Sequence, residues 1–268
     1  MKEVRLSGWD RFEENISSLF RDVDDKRMQS SNYVSRPLFR GQGCASWKLD
    51  TTLERYSDKT WSLCDYYHTL AAVRPSIESL TGQSWDWPDT YNRDESGVRA
   101  PGPPPGYEFM IYLRHHDFPS PLLDWTRSPY VAAFFAFRSR QARESSDVAI
   151  YSYIEHYGGG KGGIASKPRI VGLGPSVVAH RRHYSQQSEY TICEKYEGRQ
   201  YVYWNHEDVF SENDSEQDLM TKFIIPESER ANVMRALERM NITSYSLFGN
   251  EESLMETLAY QEIENRRG

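Results

Sequence analysis

Arg40 stands between an aromatic residue and a glycine, in Phe39-Arg40-Gly41, at the end of a segment that the sequence predicts to be extended. A guanidinium group can bind two phosphate oxygens at once. Gly41 has no side chain and lets the backbone come close to a ligand. The pattern therefore predicts an anion-binding arginine. The alternative is that Arg40 pairs with a core carboxylate such as Asp124, and the two interpretations are compatible.

A second cluster, Asp124-Trp125-Thr126, follows the apolar pair Leu122-Leu123. It brings a carboxylate, an indole ring suited to stacking and a hydroxyl group into one turn. The alternative is that Asp124 caps the turn that follows and Trp125 belongs to the hydrophobic core. For an isolated tripeptide, we favour this structural interpretation.

A third cluster, Gln186-Gln187-Ser188-Glu189-Tyr190, follows Arg182. In an extended strand, residues two positions apart point to the same side, so Gln187 and Glu189 would do so. Such a pair could hold a ribose hydroxyl and stabilise positive charge. The alternative is an ordinary polar entrance to a strand.

The histidines do not form a metal-binding pattern. His115 and His116 stand beside Asp117, while His180 and His183 lie in a basic stretch, and no HExxH arrangement occurs. A metal site would need a third ligand on one face. We expect no metal, with His115 orienting or lining a site and the other pair exposed on the surface.

Composition narrows the class of protein. At 268 residues the chain can form a core without disulfide or metal support. The formal charge of −7 argues against broad electrostatic capture of nucleic acid. The three cysteines lack CxxC spacing, and neither a signal-type segment nor 18 consecutive apolar residues occur. We expect a cytoplasmic protein with no membrane contact.

The hydrophobic pattern predicts an α+β fold, a single globular domain whose mixed β core is flanked by helices. An amphipathic helix is expected within residues 1–30. Ser128 is a good N-cap with Pro129 behind it, so a buried apolar helix should follow. Core strands are predicted at 147–154, 190–193, 201–204 and 222–225, and further helices at 61–80 (broken near Pro75), 107–116, 227–240 and 251–265.

Residues 82–106 interrupt this pattern with a segment rich in proline and glycine. These residues cannot continue a helix or a central strand. We expect a long irregular loop or lid that exposes Trp85 and Trp87 to a target. The alternative is a disordered insertion.

Several of these residues also carry a family resemblance. Leu38–Gln42, Trp47-Lys48-Leu49, Arg55 and the spaced set His115, Pro119 and Leu122–Thr126 resemble the FRG domain, named for its Phe/Tyr-Arg-Gly motif. The likeness runs from about Val34 to Leu258, so residues 1–268 are interpreted as a single FRG-type domain. The family name records a motif and no activity.

The order of the motifs is similar to that of arginine-containing ADP-ribosyltransferases, which implies an ADP-ribosyltransferase-like fold. The resemblance implies that Arg40 meets the NAD phosphates and that Thr126, beside Asp124, shapes the nicotinamide-ribose pocket. Glu189 with Gln187 would stabilise the breaking glycosidic bond. Asp-Trp-Thr stands where that superfamily has Ser-Thr-Ser, which is a departure. The residues expected to contact NAD are Arg40, Gly41, Gln42, His115, Trp125, Gln186 and Tyr190.

This resemblance implies an NAD-dependent ADP-ribosyltransferase-like or NAD-cleaving enzyme that uses NAD as substrate. A macromolecular target, a role as an intracellular toxin or antiviral effector, and a neutralising or regulatory protein are further expectations. A carboxylate near the ribose would offset the positive charge that develops as the bond breaks. The alternatives are a non-catalytic module that binds a nucleotide or a partner, and a nuclease-like enzyme.

Overall fold

The fold is built on one mixed β-sheet. A computed structural model describes residues 1–87, 103–139, 147–162, 164, 166–174, 181–212 and 215–265. The sheet formed by these residues has eight strands: β1 (Lys2–Arg5), β2 (Leu38–Gln42), β3 (Leu123–Thr126), β4 (Val148–His156), β5 (Arg169–Gly172), β6 (Ser188–Glu197), β7 (Gln200–Tyr203) and β8 (Gln217–Ile225). The predicted mixed β core flanked by helices is confirmed.

The strands are ordered β1-β8-β4-β2-β3-β6-β5, and β7 pairs with β6. β1 runs parallel to β8, whereas the other pairs are antiparallel. The pairing of β2 with β3 is confined to Phe39 and Thr126. Because so little pairing joins these two strands, side chains can lie between their ends.

Helices cover the sheet. In chain order they are α1 (Trp9–Gln29), α2 (Thr52–Tyr56), α3 (Leu63–Thr81), α4 (Tyr107–His115), α5 (Pro129–Phe137), α6 (Arg181–Ser185), α7 (Arg230–Arg239), α8 (Ser244–Phe248) and α9 (Glu251–Ala259). Short 3₁₀ segments cover His206–Glu212 and Glu227–Glu229, and a π-helical turn covers Tyr260–Glu264. Among these described helices, none is long and apolar enough to cross a membrane.

The central strand β4 is buried on both faces. Val148 and Ile150 pack with α1, α5 and α7 in one hydrophobic cluster. Tyr151 and Tyr153 alternate with them and pack in a second cluster on the other face. A third cluster lies between α3, α4 and strands β5 and β6. Burial on both faces makes β4 a rigid support for its neighbour β2.

Helix α5 packs directly on β2 and is apolar along its length, as its sequence predicted. The side chain of Ser128 accepts a hydrogen bond from Val131 N at 3.3 Å, and Pro129 occupies the first turn. Phe134 is buried in the cluster that α5 forms with α1, α7 and the sheet, while Phe135 is partly buried. The predicted buried helix is therefore confirmed, with Phe135 at its edge.

Two predicted details were wrong. Helix α3 continues through Pro75 to Thr81 instead of breaking there. Pro75 is exposed, so water can reach the backbone that it leaves without a hydrogen bond. His183, expected on the surface, is buried and stacks on Tyr190 with 5.7 Å between ring centroids. The prediction for His180 lies outside the described residues.

The predicted insertion is described only at its two ends, because residues 88–102 lie outside the described residues. Trp85 and Trp87 are partly buried against the cluster between α3 and α4. The ring centroid of Trp87 lies 4.6 Å from that of Tyr67, and the centroid of Trp85 lies 4.9 Å from that of Phe109. Neighbouring aromatic rings on α3 and α4 thus cover them in part, and they are less exposed than predicted.

Gly41 lets α5 approach β2 closely. A Cβ atom on Gly41 would overlap the Ala132 carbonyl oxygen and lie 2.7 Å from Ala136 N. Gly41→Ala should therefore lower the free energy of unfolding by about 1–3 kcal/mol, measured by urea denaturation. Gly43→Ala is the matched control, since its Cβ would meet Ala136 O at 3.6 Å, an ordinary contact. Equal stability of the two variants would contradict this account.

Candidate functional site

A cleft of about 490 Å³ opens where β2, β3 and β6 meet α4 and α5. Its lining includes four arginines, two aspartates and one histidine, together with aromatic side chains. With neutral histidine, the formal charge of the lining is +2. The lining residues that bear on function are Arg40, Gln42, Trp47, Arg55, Arg114, His115, Asp117, Asp124, Thr126, Phe135, Arg182, Gln186, Ser188, Tyr190 and Phe248.

Asp124 lies between two arginines at the centre of the cleft. Arg114 Nη2 donates to Asp124 Oδ1 at 2.7 Å, and Arg40 Nη1 lies 3.1 Å from Asp124 Oδ2. Arg40 Nη1 also donates to the Asp124 backbone carbonyl at 2.8 Å. The carboxylate thus connects β2, β3 and α4, and the predicted pairing of Arg40 with Asp124 is confirmed.

This arrangement keeps Asp124 ionised. Burial raises the pKa of its carboxyl group, but the positive charges of Arg114 and Arg40 outweigh that effect and hold the pKa well below its usual range. In return, the charge of Asp124 raises the pKa of Arg114. Because two guanidinium groups neutralise this carboxylate, it would attract a positively charged ligand only weakly.

Arg55 adds a positive charge that no described carboxylate contacts. It lies on α2 and lines the cleft, and its guanidinium group forms no ion pair or hydrogen bond with any described residue. Partial burial lowers its pKa, and the charges of Arg40 and Arg114 lower it further. The carboxylates of Asp124 and Asp50 act in the opposite direction, but the pKa of Arg55 stays lowered.

Thr126 and Gln186 line the cleft, and their hydrogen bonds stabilise the fold. The Thr126 hydroxyl donates to the Gln186 carbonyl at 2.7 Å and accepts from Ser128 N at 3.1 Å. The Gln186 side chain donates to Leu247 O at 3.2 Å. These bonds join the turn after β3 to the chain entering β6, so they fix the position of the wall.

His115 and Tyr190 form a polar pair on the same wall. Tyr190 Oη and His115 Nε2 are 3.1 Å apart. Burial raises the pKa of Tyr190 above its ordinary value, so this hydroxyl keeps its proton. The pair presents a neutral tyrosine and an imidazole beside the arginines.

The segment that contains β2, β3 and β4 matches a known protein family. Residues 35–158 match the family described as FRG domain. The matched segment, residues 35–158, belongs to the FRG domain family. Neither a curated protein nor a solved structure matches the chain with significant similarity.

The three residues that name the FRG domain have separate physical roles here. Phe39 is buried in the core under α5, and Arg40 reaches the cleft. Gly41 provides the space in which α5 packs, because a Cβ there would overlap the Ala132 backbone. The packing of α5 therefore explains the glycine at position 41, in place of the predicted close approach to a ligand. Gly41 does line the cleft.

Trp125 belongs to the core of the FRG domain, as the structural interpretation of the tripeptide predicted. Its ring centroid lies 5.4 Å from that of Tyr153, and its Nε1 donates to Thr191 Oγ1 at 2.9 Å. Thr191 Oγ1 lies 3.0 Å from His206 Nε2, and burial lowers the pKa of His206 to about 3. Trp125 is among the residues that line the cleft, but with 3% of its surface exposed its indole ring is not open to a stacked base.

Gln187 and Glu189 lie outside the lining of the cleft, so their predicted placement was wrong. Gln187 has a φ of 50° and precedes β6, so the alternation of an extended strand does not apply to it. Glu189 pairs with Trp125 in the β3–β6 register, while Tyr190 pairs with Asp124. Glu189 therefore points to the opposite face, where Arg127 Nε lies 3.8 Å away.

Sequence reasoning missed Arg114 and Asp117, and it gave no role to Trp47 or Arg55. The adjacent family position His115 was a signal for Arg114, since both lie in the last turn of α4. Nothing in the local sequence marks Asp117 as a cleft residue. Within the described residues, no group of three or more histidine, cysteine or carboxylate side chains could hold a metal ion.

Removing the central charge should destabilise the FRG domain in a pH-dependent way. The folded pKa of Asp124 lies below its unfolded value of 3.8. Its stabilising contribution is therefore complete above about pH 4 and declines as the pH falls toward the folded pKa. Asp124→Asn should lower the free energy of unfolding at pH 7 by about 1–2 kcal/mol, a value discounted because the side chain is partly exposed.

Urea denaturation at pH 7 and at pH 3 measures this contribution, and the difference between wild type and Asp124→Asn should shrink at the lower pH. Asp147→Asn is the control, since Asp147 pairs at 2.9 Å with Arg5, which is 74% exposed, and such pairs contribute little. A pH-independent difference at Asp124 would contradict the assignment of an ionised carboxylate.

Proposed function

We propose that the cleft of this FRG domain binds a phosphate-bearing nucleotide and that NAD is its ligand. The observation that carries the proposal is the excess of positive charge around Asp124. Arg40 and Arg114 pair with Asp124, whereas Arg55 lines the same cleft and forms no ion pair with any described carboxylate. A phosphate or diphosphate would supply the missing negative charge.

The electrostatics favour such a ligand on physical grounds. Guanidinium groups bind phosphate oxygens in pairs, and bonds between charged groups are the strong ones. Burial and then the charges of Arg40 and Arg114 lower the pKa of Arg55, and an anion beside Arg55 would offset both effects. The cleft volume of about 490 Å³ lies within the range of small-molecule sites.

Aromatic side chains in the lining support a ligand with a planar base. The indole of Trp47 is 44% exposed and lines the cleft beside the arginines. Phe135 and Phe248 lie on another part of the lining, with 6.0 Å between their ring centroids. Exposed aromatic rings next to basic groups are suited to bases, which stack on them. Trp47 takes the role that sequence reasoning gave to Trp125.

The proposed reaction is cleavage of the nicotinamide–ribose bond, with ADP-ribosyl transfer to a macromolecular target or to water. The motif order that resembles ADP-ribosyltransferases, and the proposed likeness to their fold, support NAD as the substrate. An intracellular toxin or antiviral effector with a neutralising protein would be one biological setting for such a reaction.

A non-catalytic nucleotide-binding module is the second candidate, and one observation favours it. The predicted catalytic carboxylate Glu189 points away from the cleft, and Asp124 is neutralised by two arginines. Binding needs only the arginines, whereas cleavage also needs a group that offsets positive charge on the ribose.

Arg55 should be required for affinity. Arg55→Gln should weaken NAD binding about tenfold or more, because one charge-assisted hydrogen bond contributes about 1.5–3 kcal/mol. It should also reduce the salt dependence of binding. Isothermal titration calorimetry at two ionic strengths measures both effects. Arg11→Gln on α1, where Arg11 pairs with Glu14, is the control. Unchanged affinity in Arg55→Gln would contradict the proposed phosphate contact.

Catalysis should appear as nicotinamide release. Purified protein incubated with NAD, with and without cell extract, should release nicotinamide, and Arg55→Gln should lower the rate at subsaturating NAD. Chromatographic measurement of nicotinamide decides between the two candidates. NAD binding without release under either condition would support the non-catalytic module.

A further inference from the structure

Asp117 occupies a backbone position that usually favours glycine. It follows helix α4 and its capping residue His116, with a φ of 61°. Phe118 N donates to Leu113 O at 3.0 Å, which closes the helix end around Asp117. Such capping turns place the residue after the cap in the left-handed region, where glycine is the usual choice and asparagine the next.

A carboxylate at this position is unfavourable for stability in two ways. The left-handed conformation costs free energy for a residue with a side chain. In addition, the carbonyl end of a helix carries partial negative charge, which favours a cation and disfavours an anion. Stability therefore does not explain why an aspartate stands here, and residues held in such conformations often serve a site.

Asp117 lines the same cleft as the arginines. Its carboxylate forms no hydrogen bond or ion pair with any described residue, although its charge acts on nearby Arg114. The other carboxylate of the lining, Asp124, is shared between Arg40 and Arg114. Asp117 is therefore the carboxylate of the described lining that can act on a ligand.

A negative charge near Arg114, in a cleft that also holds Arg40 and Arg55, has a consequence for specificity. It repels additional phosphate groups and attracts any cationic part of a ligand whose phosphates contact Arg55 and Arg114. NAD in its oxidised form has this charge pattern, with an anionic diphosphate and a positively charged nicotinamide ring. The reduced form keeps the diphosphate and both riboses but has an uncharged ring.

We propose that Asp117 is a specificity-determining residue that makes the cleft prefer the oxidised, cationic form of NAD over the reduced form. This inference rests on the proposed function, since it assumes that NAD occupies the cleft. It assigns to Asp117 the recognition of positive charge that sequence reasoning had assigned to Glu189.

Binding titrations with oxidised and reduced NAD test the proposal. The wild-type protein should bind the oxidised form about fivefold more tightly, the effect of one exposed charge pair at about 4 Å in water. Asp117→Asn keeps a side chain that tolerates the left-handed region but removes the charge. It should lose the preference for the oxidised form, chiefly through weaker binding of that form.

A glycine variant separates this role from folding. Asp117→Gly should raise the melting temperature and abolish the preference, because it relieves the backbone while removing the charge. Asn241→Gly is the matched control. Asn241 is exposed, follows α7 with a φ of 58°, and lies in the same kind of turn, with Ile242 N donating to Leu237 O at 2.9 Å. It should raise the melting temperature without changing the preference.

The outcomes separate the two proposals. If the wild-type protein binds neither form, the proposed NAD site is wrong, and this inference is wrong with it. If both forms bind equally to wild type, the proposed function survives and the role of Asp117 is overturned. A loss of affinity for both forms in Asp117→Asn, by the same factor, would also overturn it, because it would indicate a contact with a ribose hydroxyl.

Discussion

The clamp of two guanidinium groups on Asp124 is the interaction on which the cleft depends. It joins β2 through Arg40, β3 through Asp124 itself and α4 through Arg114. The single register pair between β2 and β3 would otherwise leave these elements weakly connected at this end of the sheet. Because one carboxylate cannot neutralise two arginines and the nearby Arg55, the same interaction that organises the site leaves it positively charged. The clamp on Asp124 therefore accounts both for how the cleft is held together and for its positive charge.

This clamp is supported by rigid packing on both sides of the sheet. β4, which pairs with β2, is buried on both faces, and α5 packs on β2 at the distance that Gly41 allows. Behind β3, the hydrogen-bonded row of Trp125, Thr191 and His206 fills the interior. A neutral, buried His206 fits this role, because a charged imidazole would be costly there. The polar side chains of the cleft therefore extend from strands that are held in place by packing on both faces of the sheet.

The local charge of the cleft is opposite to that of the whole chain. The protein has a formal charge of −7, whereas the lining of the cleft sums to +2 with neutral histidine. A basic site on an acidic protein directs small anions to one place while the remaining surface disfavours nucleic acid and other large polyanions. This contrast supports the proposed small phosphate-bearing ligand over a polymer, and the proposed role of Asp117 would further limit the negative charge of that ligand.

Local patterns in the amino-acid sequence determined much of the fold. The Ser128 cap with Pro129, the apolar run of α5 and the β-branched strand β4 depend on interactions within a few residues. The pairing of Arg40 with Asp124 was also open to prediction, since both residues stand out in type. The tertiary structure alone decided which carboxylates line the cleft. Side chains alternate along a strand, so the register of β6 against β3 turns Glu189 away and Tyr190 toward the cleft. The end of α4 places Arg114 and Asp117 beside β2 and β3, which are distant from each other in sequence. No local sequence pattern predicts this proximity.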